Sequence, residues 1–105
     1  MNELRESINL VIDKIGTVTD LCYAQKKTEA SAAMMGFTEL LTALYTQLSA
    51  GKQRNESFSF NEKEFLLVLS DAVAAMEAGD MVLLADKLEY DLRELLEAAA
   101  ESADV

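Results

Sequence analysis

The chain has 105 residues, of which 9 are Lys or Arg and 19 are Asp or Glu, for a formal net charge of −10, and it contains no His, no Pro, no Trp and one Cys. That length suits one small domain burying roughly 65% of its unfolded surface. The missing His removes the commonest general base and the usual metal ligand of a helical bundle, and a single Cys excludes intrachain disulfides and Cys-rich clusters.

Net acidity also argues against nucleic acid and anionic membranes, because both recruit clustered Lys and Arg. Hydrophobic residues are nevertheless 50% of the chain, so a core forms and apolar surface is left over. No apolar run approaches the roughly 20 residues that span a bilayer. The opening Met-Asn-Glu-Leu-Arg-Glu lacks the order of a secretory signal. Cytoplasmic residence is the expectation.

Leu4, Ile8, Val11, Ile12, Ile15, Thr19 and Cys22 recur at three-and-four spacing and predict a first amphipathic helix, with Asn2 placed to cap it. The stripe loses register across residues 25–30 and resumes at Ala30, Met34, Phe37, Leu41, Leu44 and Leu48. Two helices with an unmarked turn are expected there, one long kinked helix being the alternative. Gly51 is placed to close the second helix as a left-handed C-cap. A loop then follows to Phe60, carrying Lys52 and Arg54.

Asn61 with Glu64 three residues later forms an Asn-led capping box, and Phe60 and Phe65 occupy the two staple positions. The third helix is expected to bury Phe65, Leu66, Leu69, Ala72, Val73 and Met76. Gly79-Asp80 supplies a C-terminal glycine and an N-cap back to back, predicting a tight helical hairpin. Met81, Leu84, Ala85, Leu88, Leu92, Leu95 and Leu96 form the inner face of the fourth helix. The predicted fold is all-α: one domain over 1–105, an up-and-down four-helix bundle about 25 to 30 Å long with helices near 2–25, 29–50, 61–78 and 80–100 and a frayed acidic tail at 101–105.

The predicted inner faces are aliphatic and aromatic, a poor setting for acid–base work, and no phosphate loop, EF-hand or nucleophile elbow is present. No catalytic, cofactor-binding or metal residue is assigned. Cys22 lies by the apolar stripe and reads as a small hydrophobe. Met34, Met76 and Met81 lie on core stripes, whereas Met35 does not.

The charge is unevenly spread. Residues 1–50 hold 4 basic and 6 acidic residues, net −2, and residues 61–105 hold 3 and 12, net −9. At 100° per residue Leu83, Asp86, Tyr90, Glu94 and Glu97 fall on the side of the fourth helix away from Leu88 and Leu95, and Leu67 points outward beside Asp71. These six form a candidate interaction face for a basic or amphipathic partner helix, steered by charge and anchored by apolar side chains. Leu10, Leu21, Met35 and Leu40, off-stripe on the nearly neutral first two helices, are the candidate self-association set, two-fold dimers being the commonest oligomers.

The string Gly79-Asp80-Met81-Val82-Leu83-Leu84-Ala85-Asp86-Lys87-Leu88-Glu89-Tyr90-Asp91-Leu92 resembles a segment of small, uncharacterised all-helical proteins of Gram-positive bacteria. That resemblance implies a bacterial cytoplasmic protein without assigned activity. As a small acidic helical bundle the chain also looks like flagellar and type III secretion chaperones, which hold helical segments of export substrates. The expected function is therefore non-enzymatic protein–protein contact, as a homodimer, with a chaperone or adaptor of a helical or basic partner segment as the alternative.

Overall fold

The structure, a computed structural model, describes residues 2–54, 58 and 60–103. Helix α1 spans Asn2–Tyr23 and α2 spans Lys27–Arg54. Leu4, Ile8, Val11, Ile15, Val18 and Cys22 are all buried, a four-three alternation that keeps one seam toward the neighbouring helices. The expected cap at Asn2 concerns a side chain outside the described residues. Helix α1 ends because Gln25 adopts a left-handed φ of 60°. The Lys26 amide then donates to the Leu21 carbonyl and the Gln25 amide to that of Cys22, each at 3.0 Å, the paired bonds of a Schellman turn. One long kinked helix is thereby overturned, and the turn occupies 24–26, ahead of the expected 25–30.

Helix α2 does not stop at Gly51, which is buried inside it. The sequence expectation failed because Gly51 continues the buried series of Leu41, Leu44 and Leu48 at the same spacing, so packing overrides the tendency of glycine to end a helix. Only Phe58 and Phe60 of the expected 51–60 loop lie between helices and within the described residues. The 28 residues of α2 rise about 42 Å, which matches the 41 Å long axis of the molecule and exceeds the length expected from shorter helices.

Helix α3, Glu62–Glu77, starts at Asn61, whose side-chain oxygen accepts from the Glu64 amide at 3.1 Å. The staple rings of Phe60 and Phe65 meet edge to face at 5.5 Å, and Tyr45 of α2 stacks on Phe65 at 5.7 Å. This trio fills the space between α2 and α3 and brings together the two helices linked by the longest connection. Its geometry also corrects the face of α3. With Phe65 as anchor, Val68, Ala72 and Ala75 are buried, whereas Leu66 is exposed.

After α3 the chain repeats the first turn with glycine in place of glutamine. Gly79 has φ 73°, its amide donates to Met76, and the Asp80 amide donates to Ala75 at 2.9 Å. Asp80 then caps the next helix by accepting from the Leu83 amide at 3.0 Å. The fourth rod comprises α4, Met81–Asp86, a π-helical segment, Lys87–Leu92, and α5, Arg93–Ala103. Of the expected frayed tail at 101–105, residues 101–103 are helical and 104–105 lie outside the described residues. Leu84, Leu88, Leu92, Leu96 and Ala100 are buried at a constant spacing of four. In a straight α-helix each such step turns about 40° off the core line, and the wider π turn takes up part of that drift.

Glu3 and Leu4 lie beside Thr46, Gln47 and Ala50, and Thr19 beside Glu89. Helix α1 therefore runs antiparallel to α2 and to the fourth rod, between which it packs, while α3 lies against the rod. The result is an all-α bundle, with no strand among the described residues. No described helix is long and apolar enough to cross a membrane.

Candidate functional site

Polar groups gather where α1 meets the π-helical segment. Thr19 is the one buried polar side chain among the described residues; its hydroxyl donates to the Gly16 carbonyl at 3.1 Å and lies 3.5 Å from Glu89 Oε2. Arg93 Nη2 donates to that same Glu89 oxygen at 3.3 Å. Arg93 Nε approaches Glu89 Oε1 to 3.2 Å off the hydrogen-bonding direction, giving an ion pair without a second hydrogen bond. One turn toward the hairpin end the Tyr23 hydroxyl donates to Asp86 Oδ1 at 2.9 Å. That bond, with the negative charge of Asp86 and Glu89 and the nearby Tyr90, pushes the Tyr23 phenol up to about 12.

The cations beside Asp86 are turned elsewhere. Lys87 donates to Asp91 at 3.2 Å and pairs with Asp71 of α3 at 3.7 Å; the bond to Asp91 leads in raising the ammonium's pKa. Arg93 belongs to Glu89, so no Lys or Arg among the described residues pairs with Asp86. Around this carboxylate stand four exposed apolar or aromatic side chains: Tyr23 from α1, Val82 and Leu83 from α4, and Tyr90 from the π-helical segment, the last 64% exposed.

Of the six residues assigned to the interaction face, Leu83, Tyr90, Glu94 and Glu97 are exposed. Asp86 is half-buried at the seam with α1, where one of its oxygens holds the Tyr23 hydroxyl. Leu67 is exposed but sits on α3, across the ionic row of Asp71, Lys87 and Asp91. Glu94 lines a cleft of about 330 Å3 between α3 and the rod with Glu64, Asp91, Leu95 and Ala98.

In the self-association set, Leu10 and Met35 are exposed, Met35 at 71%, whereas Leu21 and Leu40 pack against the core. Leu40 also lines a cleft of about 320 Å3 between α1 and α2, floored by Val18 and Phe37 and edged by Ala32, Ala33 and Gly36. Cys22 is fully buried, and burial raises its thiol pKa.

Tyr23 and the Thr19–Glu89–Arg93 group were missed from sequence. The available signals were a threonine inside an apolar stripe and a Glu–Arg pair four residues apart. Neither says which helix lies opposite. Among the described residues no group of His, Cys, Asp and Glu is arranged to hold a metal ion.

Residues 1–102 match the model of a family described as a domain of unknown function (DUF8042). The chain belongs to that family. Comparisons with curated proteins and with solved structures returned no match.

Proposed function

We propose that this member of the family acts without catalysis, through protein–protein contact, and that the seam of α1 and the fourth rod is its docking surface. The observation that carries the reading is the cluster of Tyr23, Val82, Leu83 and Tyr90 around one carboxylate. Tyrosines flanked by aliphatic side chains are the composition from which binding hot spots are built, and four large exposed hydrophobic groups in one place exceed the single scattered residues of an ordinary surface. A chaperone or adaptor for a helical segment of another protein fits this surface. Residence in the cytoplasm belongs to the same reading, since the lone thiol needs no oxidising compartment.

A second reading, self-association, rests on the α1–α2 cleft and the adjoining Met35. That side belongs to the part of the chain with net −2, so two copies meet there with less repulsion than through their −9 halves. Two measurements separate the readings. Sedimentation across the micromolar range is expected to show a dimer abolished by Met35→Asp if the second holds. For the first, Leu83→Asp with Tyr90→Ala is expected to abolish partner capture that Met35→Asp leaves intact. Equal capture by the double variant and the wild type would overturn the seam as a docking surface.

A further inference from the structure

We propose that the seam recognises a basic amphipathic helix of another protein and that Asp86, beside Tyr23 and Tyr90, receives the head of one arginine or lysine of that helix. The inference rests on the seam being a docking surface and names the chemistry of its partner. Three observations converge on it.

Asp86 is a half-buried carboxylate with one oxygen holding a phenol and with no Lys or Arg of the described residues paired to it. The two cations on the same stretch of rod, Lys87 and Arg93, are committed to Asp91, Asp71 and Glu89. A negative charge is therefore left beside two exposed tyrosines, Tyr23 through its hydroxyl and Tyr90 one turn along the rod, surroundings in which a guanidinium or ammonium gains a charged hydrogen bond and comes within reach of an aromatic ring. Beside it Val82 and Leu83 are exposed on the preceding turn. A helix that places a cation over Asp86 sets an apolar residue three or four positions away over this pair.

Charge complementarity selects the class of partner. Residues 61–105 carry net −9, so a basic segment is steered toward this side and a second copy of the acidic hairpin is repelled. Arginine is favoured over lysine because its planar head stacks on a tyrosine ring while its N–H groups reach the free carboxylate oxygen.

The test uses the full chain and a synthetic 18-residue Leu/Ala/Arg amphipathic helix of net charge about +5, with a partner peptide in which citrulline replaces arginine. Binding is read by calorimetry, and the phenol ring signals by NMR. The arginine peptide is expected to bind in the micromolar range and to shift Tyr23 and Tyr90 ring signals. Asp86→Asn or Tyr90→Ala is expected to weaken it at least tenfold, the citrulline peptide to bind at least tenfold more weakly, and Glu97→Gln to change binding less than twofold. Circular dichroism of each variant checks that the helices remain.

Loss of binding in Leu83→Asp but full retention in Asp86→Asn would overturn the cation site and leave the docking surface standing. Binding insensitive to both changes, or no binding at about 1 mM, would overturn both for this class of partner. Equal weakening by Glu97→Gln and Asp86→Asn would reduce the effect to diffuse charge and overturn the site.

Discussion

At the scale of single residues the Tyr23–Asp86 bond makes the clearest prediction. A folded-state phenol at about 12, against an ordinary value of 10.0, means that folding favours the protonated ring. The stability this contributes is fully present below pH 10 and is lost as the pH rises from there through about 12. Spectrophotometric titration is expected to show one of the three tyrosines ionising near pH 12 in the wild type, and Asp86→Asn to return it toward 10. An unchanged titration in Asp86→Asn would mean that the hydrogen bond is not the cause. Tyr23 was legible in the sequence only as an end-of-helix aromatic, because its partner is 63 positions away.

At the scale of elements, the two hairpin turns share one geometry but not one chemistry. Ala24-Gln25-Lys26 and Ala78-Gly79-Asp80 make the same pair of backbone bonds. The second has glycine where φ is positive and a capping aspartate after it; the first has glutamine and lysine. A side chain in the left-handed region costs about 1 kcal/mol. Gln25→Gly is therefore expected to raise the unfolding free energy by up to about 1 kcal/mol, and Gly79→Ala to lower it by a similar amount, in urea titrations. A loss of stability in Gln25→Gly would show that the glutamine side chain holds the turn in some other way. The absence of glycine at the first turn is also why its position was read late, whereas Gly79-Asp80 located the second.

Phe65 shows what an element depends on beyond its own sequence. It is a staple residue for α3, a stacking partner for Tyr45 and fully buried. Phe65→Ala is expected to cost about 3–5 kcal/mol, measured by chemical denaturation. A cost below about 1 kcal/mol would mean that the α2–α3 side closes without the ring trio.

Across the whole molecule charge is the dominant asymmetry, with net −2 on residues 1–50 and −9 on residues 61–105. Ion pairs offset little of it, because those on the fourth rod engage only Lys87 and Arg93. Raising the salt from about 0.01 M to about 0.1 M shortens the screening length from about 30 to about 10 Å, and the thermal midpoint is expected to rise as the like charges are screened. A falling midpoint would mean that the Lys87 and Arg93 pairs outweigh the repulsion.

The amino-acid pattern by itself determined four amphipathic helices, the buried series of α1 and α2, the cap and staple of α3 and the second hairpin turn, because each is encoded within about seven residues of chain. The tertiary structure decided what local spacing does not contain. It carried α2 through Gly51, turned Leu66 outward, placed a π turn in the fourth rod and set Asp86 against Tyr23. Helical periodicity assigns a residue to a face without saying what stands opposite it, as Phe65 against Tyr45 and Asp86 against Tyr23 show.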